Sequence, residues 1–485
     1  MISSVRSRFR TIGEIAYRTT SRCVNPDTLG YHRLMRSWLL AVVLVGGCYH
    51  PSPPAGAPCN SRGECPSGLE CVDDICQEPG ALPVDAAIDA CPETACVGDD
   101  LVGCGSQITC ALGCAAGSTA KVAHCMEMVP SNGVTPALLV GATADLSDRD
   151  FDFDTDTGVV TKNSGMPVRP AGTGVINGIG FTVIDKMAVF SVHSVDVPAL
   201  VSSDDDWDVA GDNAIVIYAA TTIKVAGRID AGASGGSGGP SGGNGATSLS
   251  TTTCRGRGGL WQMAAYGEGG GGGGARTAGG NGAPSNTTTF GVGGVLCTAL
   301  PSTIPLRGGL GGGVGGYDTV LSMVHGGQGG GGGGAIGIVA MESITITGQV
   351  TAPGDGGRSP VSGDGGGGGG AGGAILVEAP VVTISGALTA NGGGGGAPST
   401  DPGSRGHISD GSAASGGVFN TGAGGRGSTG TQTPGNGTTF IDATPSARGG
   451  GGGGAAGRAE IKSRTRTTTG AVLSPAPTLN DIATQ

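Results

Sequence analysis

Four segments of the chain repeat one alternation of apolar and small polar positions around a glycine. They are AIVIYAATTIKVAGRIDAG around Gly227, AIGIVAMESITITGQVTAPG around Gly348, AILVEAPVVTISGALTANG around Gly386, and AEIKSRTRTTTGAVLSPAP around Gly470. Four residues before the glycine stand Ile223, Ile344, Val382 and Arg466, and two before it Val225, Ile346, Ile384 and Thr468. Two after it come Ile229, Val350, Leu388 and Val472. The positions between are small or polar, among them Lys224, Thr345 and Thr383. This period of two predicts short strands that send apolar side chains to one face. The glycine marks a bend where a side chain would clash.

No single copy can bury its apolar face, whereas stacked copies can. The expected fold is therefore mainly β: a β-solenoid or parallel β-helix-like body with long glycine-rich insertions, over 213–474. Arg466 and Thr468 replace inward apolar residues, so the fourth copy reads as an end cap or an open rung. A strand-rich region, 127–212, precedes the repeats, with FDFDTDTGVVT, GVINGIGFTVI and MAVFSVHSVDVPALV as its strand signals. Its aspartates Asp152, Asp154 and Asp156 invite a calcium reading. An EF-hand loop begun at Asp152 would need glycine at its sixth position and glutamate at its twelfth, where Thr157 and Asn163 stand. Asp on the wet face of a strand is the better account, and Asp204–Asp206 with Asp208 reads as a solvated turn.

Glycine changes the picture. The chain has 485 residues, 102 of them glycine, with only 3 Trp, 6 Tyr and 8 Phe. A large enzyme with an ordinary side-chain core is excluded over much of this length. The glycines lie in runs at 269–274, 329–334, 365–370, 392–396 and 449–454, and three runs directly precede a repeat copy. Collagen, with glycine at every third position, does not fit. Two states compete for the runs. One is extended polyglycine II rods packed side by side, exchanging backbone hydrogen bonds and Cα–H···O contacts. The other is disordered loops, favoured by an ordering cost of about 1–2 kcal/mol per residue.

Cysteines fall into even groups, which in short turn-rich segments read as disulfide modules. The first is Cys59, Cys65, Cys71 and Cys76, within 59–77. The second is Cys91, Cys96, Cys104, Cys110, Cys114 and Cys125, within 91–126. Cys254 and Cys297 form a third pair inside the glycine-rich region. Connectivity within the first two groups stays open, and zinc spacing is absent.

Ahead of these modules, MRSWLLAVVLVGGC at 35–48 has a short apolar stretch, small residues and then Cys48. It is too short to span a bilayer and suits a secretion signal. Its end resembles the lipobox of bacterial lipoproteins, in which the cysteine receives a lipid and becomes the first residue. The expected organisation is then an arginine-rich leader at 1–34 ahead of the translation start at Met35, and a signal peptide at 35–47. A proline-rich tether at 48–58, a linker at 78–90 and a tail at 475–485 complete it. The formal net charge is −11, and loss of the arginine-rich leader makes the remainder more acidic, which disfavours nucleic acid as a partner.

Taken whole, residues 35–485 resemble the glycine-rich, cysteine-containing lipoproteins of myxobacteria and related delta-proteobacteria. That resemblance carries over no activity and no functional residues. The expectation is a noncatalytic structural or adhesive protein, held at the outer membrane or cell surface by its lipid, with no cofactor. Envelope or extracellular polysaccharide is its expected contact. A β-helix polysaccharide lyase or hydrolase would need Asp, Arg or Lys clustered on adjacent rungs. A glycan- or ice-binding face would need flat Thr arrays, to which Thr345 and Thr383 contribute. Three G-x-S-x-G matches, centred on Ser234, Ser237 and Ser241, lack the strand–turn–helix context of a nucleophile elbow. His193, His325 and His407 stand apart from any repeated partner in the sequence.

Overall fold

The alternating segments become strands of three sheets. The computed structural model describes residues 69–72, 75–77, 94–103, 105–118, 121–162, 165–202, 205–249, 254–262, 266–285, 291–295, 303–318, 320–360, 364–441 and 447–485. Five successive layers each give one strand to each sheet. The first layer is Met187–Val192, Ser194–Val197 and Trp207–Ala210, so the region before the repeats supplies a layer of the same sheets. The second is Ala214–Ala219, Thr222–Val225 and Arg228–Asp230. The third is Ala335–Ala340, Ser343–Ile346 and Gln349–Thr351. The fourth is Ala374–Glu378, Val381–Ile384 and Ala387–Thr389. The fifth is Arg458–Lys462, Thr465–Thr467 and Val472–Ser474. Adjacent layers pair in parallel throughout.

Register follows the apolar alternation, because a slip of one residue would turn each strand's apolar set to the wrong face. In the second sheet Val195, Ile223, Ile344, Val382 and Arg466 stand in one row. In the first sheet Phe190, Ile217, Ile338, Val377 and Ile461 do the same. All the apolar members of these rows are buried in one core. The first sheet is also covered on its other face, where Val189, Val216, Val339 and Leu376 meet Met128, Val134, Leu306 and Ile482. Its strands are accordingly apolar runs, as burial on both faces requires.

One expected position is corrected. Val472 does not stand in the inward row of the third sheet; Leu388 pairs with Leu473, and Val472 lies beside Ala387. The turn at Gly470, with φ of 80°, holds one more residue than the bends at Gly227, Gly348 and Gly386, so the inward position moves by one.

Both ends of the stack are closed. At the N-terminal end Phe151, Phe153, Phe181, Phe190 and Trp207 pack edge to face or tilted. Arg169 is fully buried there. Its guanidinium donates to the carbonyls of Gly158, Pro170, Gly172, Gly174 and Ile179, so the buried charge is solvated by backbone. At the C-terminal end Arg466 donates to the Asn480 carbonyl and pairs with Asp481. The final residues then zip against 127–129, with Gln485 and Glu127 exchanging backbone hydrogen bonds. The fourth repeat copy therefore forms a capped end.

The chain divides into two units, 1–84 and 85–485. In the first, Glu70–Val72 and Ile75–Gln77 form an antiparallel hairpin that sets Cys71 opposite Cys76. In the second, a small meander over 95–109 is held by the disulfides Cys96–Cys114 and Cys110–Cys125, around Leu101 and Ala123.

The glycine runs are ordered, buried and bonded to one another. In the run at 365–370 and its continuation, donors three residues apart face the same neighbour. Gly366, Gly369 and Gly372 donate to the carbonyls of Gly449, Gly452 and Ala455, at 2.8–2.9 Å. Gly367, Gly370 and Gly373 donate to Arg358, Asp355 and Ala352, and Gly368 and Ala371 to Gly313 and Leu310. In return it accepts from Gly270 and Gly273, from Gly327, Gly330 and Gly333, and from Gly393 and Gly396. Six extended segments thus surround one rod with three residues per turn, the geometry of polyglycine II. The runs at 269–274, 365–370 and 449–454 also close a triangle, since Gly270 donates to Gly366, Gly366 to Gly449 and Gly452 to Gly270. Buried Ala275, Ala371 and Ala455 pack together at the ends of those runs.

Ordering costs about 1–2 kcal/mol per residue. A net backbone hydrogen bond returns about 0.5–1.5 kcal/mol, and a Cα–H···O contact about 0.5–1 kcal/mol. The two sides nearly cancel, so anchorage to the strands decides for order.

These glycines are required for space. A Cβ at Gly367, Gly368 or Gly370 would overlap the carbonyl oxygen of Gln328, Gly271 or Gly331. Gly370→Ala is expected to destabilise the protein by at least about 3 kcal/mol. Gly411, where an added Cβ would find its nearest atom at 3.9 Å, is the control. Gly411→Ala should stay within about 0.5 kcal/mol of wild type in urea unfolding. Equal midpoints for the two variants would contradict the packed-rod account.

Candidate functional site

The outward row of the third sheet starts with acids. Asp152, Asp208 and Asp230 are register partners on three adjacent strands, followed by Thr351, Thr389 and Ser474. The row one residue earlier is the inward one, with Phe151, Trp207, Ile229, Val350 and Leu388. Alternation across the pleat therefore aims the acids away from the core. A cleft of about 840 Å³ opens over them, lined also by Asp206, Arg228 and Arg405.

Two of the acids are neutralised. Asp206 is 8% exposed and accepts from Arg228, with Nε 2.8 Å from Oδ2. Asp230 is 6% exposed; both its oxygens lie 2.9 Å from Nη2 of Arg405. It also accepts from the Gly232 amide at 2.8 Å and the Thr351 hydroxyl at 3.1 Å. Among the described residues Asp208 has no such cation, and it still reaches solvent. Partial burial, and then the charges of Asp206, Asp230 and Asp152, push its carboxyl up to about 6, with Arg228 pulling the other way. Oxygens of Asp206, Asp208 and Asp230 lie within 4.8 Å of one another. The arrangement offers one carboxyl that changes charge near neutrality, beside fixed charges of both signs. It can exchange a proton or take hydroxyl-rich or cationic ligands.

The calcium candidates Asp152, Asp154 and Asp156 do not converge. Asp152 reaches the cleft, but Asp154 accepts from Asp156 N, Thr157 N and Thr157 Oγ1, closing its own turn. Asp156 accepts from Asp212 N and Asn213 Nδ2. The solvated-turn reading of Asp206 is likewise corrected, since it is buried against Arg228.

Gly227, Gly348 and Gly386 sit at stacked bends between the second and third sheets, and a Cβ on either of the latter two would strike the carbonyl of the glycine before it. Gly470 differs: its positive φ, with open space around it, is the constraint. Cys254 is disulfide-bonded. Cys48, Cys59, Cys65, Cys91, Cys104 and Cys297 lie outside the described residues.

Two histidines have neighbours that their sequence context hides. His325 stacks on Trp261 at 4.5 Å with Nε2 3.6 Å from Asp318, and His407 lies 3.6 Å from Asp410. The serines of the G-x-S-x-G matches sit in a glycine-rich turn, and no α-helix occurs among the described residues. In that same set no helix is long and apolar enough to cross a membrane. No family model, curated protein or solved structure matches the chain.

The acidic row carried a legible signal that a motif search misses. FDFD, WDVA and RID each place Asp beside an inward aromatic or aliphatic residue. Arg405 comes from a distant insertion and carried none.

A carboxyl with a higher pKa folded than unfolded favours folding at low pH. Its stabilisation is complete below 3.8 and lost as pH rises through about 6. Asp208→Asn should therefore raise stability above pH 6, by about 0.5–1 kcal/mol once solvent screening is allowed for. The gain should vanish towards pH 4. Urea midpoints across this range measure it, and a gain unchanged by pH would contradict the assignment.

Proposed function

We propose that the protein is a noncatalytic structural or adhesive lipoprotein of the cell envelope, tethered through Cys48. Its body is a parallel β-solenoid, and the glycine rods form a second, backbone-only wall beside it. The observation that carries this reading is the rod lattice. A large share of the chain is committed to a rigid block with no room for side chains, which suits a spacer or scaffold better than turnover. Paired cysteines agree with an oxidising, extracytoplasmic setting.

A second reading, polysaccharide binding or cleavage, is favoured by the cleft alone. Asp208 with Asp152, Asp206, Arg228 and Arg405 gives the clustered acids and bases on adjacent rungs that such chemistry needs. A glycan- or ice-binding face finds less support. The outward row of the second sheet runs Asp196, Lys224, Thr345, Thr383 and Thr467, with charges interrupting the threonines.

Mass spectrometry of the membrane fraction should find a lipid-modified Cys48 as the first residue; a soluble, unprocessed chain beginning at Met1 would overturn the anchor. Glycan-array binding, measured with and without calcium, should show retention without turnover. Polysaccharide cleavage abolished in Asp208→Asn would replace the adhesive reading with the enzymatic one.

A further inference from the structure

On the covered face of the first sheet, at its C-terminal end, four polar side chains meet. Glu378, Lys462 and Asn480 are register partners on three adjacent parallel strands, the last strand being Thr478–Asn480 at the sheet edge. Glu460 lies two residues before Lys462 and so points to the same face. Glu378 and Glu460 are 1% and 7% exposed, and the Lys462 side chain 12%.

One oxygen of Glu460 meets both Asn480 and Lys462. Oε1 of Glu460 accepts from Nδ2 of Asn480 at 2.6 Å and lies 3.8 Å from Nζ of Lys462. The other oxygen, Oε2, is held by the Thr303 hydroxyl. Nζ is held in turn by the Ser131 hydroxyl and by Oε1 of Glu378 at 3.5 Å. Glu378 is itself fixed by the Ser131 amide at 3.0 Å and the Ser131 hydroxyl. An amine, a carboxamide and a carboxylate that bridges them are the groups required for transamidation between side chains.

We propose that Lys462 and Asn480 form an intramolecular isopeptide bond, with Glu460 as the proton shuttle. Glu378 takes one proton from the Lys462 ammonium, leaving a neutral amine. Nζ attacks Cγ of Asn480, and Oε1 of Glu460 receives the proton that Nζ sheds. The same oxygen passes that proton to Nδ2, the Cγ–Nδ2 bond breaks, and ammonia leaves. Ammonia then picks up the proton held by Glu378. Overall an ammonium and a primary amide become a secondary amide and an ammonium ion, with no oxidant, reductant or cofactor. Asn480 stands at the exposed edge, which gives the leaving group an exit. The product would fasten a three-residue edge strand, paired on one side only, to the body of the sheet, where an open edge is otherwise vulnerable.

The test is peptide mapping of the purified full-length chain after denaturation. Wild type should yield a branched peptide joining Lys462 to Asn480, lighter than the two unlinked peptides by one ammonia. Lys462→Arg and Glu460→Gln should yield the unlinked peptides at full mass. The branch itself is decisive, because Asn–Gly steps such as Asn391–Gly392 also lose ammonia on cyclising. Only unlinked peptides from wild type would overturn the bond, whatever the variants do. A branch that persists in Glu460→Gln would overturn the shuttle.

Discussion

The structure depends on how closely two polypeptide backbones can approach when neither carries a Cβ. In the block around 365–370, successive amides point in turn at carbonyls of three neighbouring segments, and the space a methyl group would need is already filled by another carbonyl. Such packing replaces the side-chain interior that the composition cannot supply. It also explains why glycine is concentrated in runs, since a rod is useful only if every face of it is bare. The cost is conformational entropy, which glycine loses more heavily than any other residue on ordering. Hydrogen bonds only about match that loss, so the rods need an external reason to be in register.

The strands give that reason. The runs at 329–334 and 365–370, with their continuations, lead straight into Ala335–Ala340 and Ala374–Glu378, which pair as Ala335 with Ala374. The run at 449–454 leads into Arg458–Lys462, which pairs Arg458 with Ala374. A glycine segment by itself has little to fix its register. Here register is fixed by buried rows such as Ile338, Val377 and Ile461 and transmitted backwards into the rods. The alanines 275, 371 and 455 act as further stops, because a slip would drive a methyl group into a carbonyl. The two halves are thus unequal: the apolar rows choose the register and the rods propagate it sideways.

That division explains what the sequence made legible. The inward rows were readable wherever alternation was strict, because burial leaves one register open. The reading failed at Val472, where the turn at Gly470 holds an extra residue and the apolar pattern AVL allowed either choice. The rods were readable as one of two physical options, since local energetics nearly balance and the deciding term is tertiary. Cysteine grouping pointed to disulfides, but not to Cys96–Cys114 and Cys110–Cys125, because pairing depends on how the meander folds. The acidic cleft was half visible. Its aspartates follow inward residues in three segments, yet their common row depends on register, and Arg405 arrives from an insertion with no pattern of its own.

The polar groups occupy the places where the two packing systems meet or end. Arg169 and Arg466 close the two ends of the stack, where no further layer can cover the core. Arg405 enters the cleft where a glycine-rich insertion crosses the third sheet, and Thr303 and Ser131 reach Glu460 and Glu378 where long connections cross the first. An apolar ladder offers a charge no partner, and the amides and carbonyls of the rods are already bonded to one another, so charges gather at the boundaries of the two interiors. Insertions that bring back a glycine run at the three-residue pitch can vary in length without disturbing the layers. The boundary residues they carry are then free to differ, which makes those seams, rather than the repeats, the part of this architecture where chemistry can be acquired.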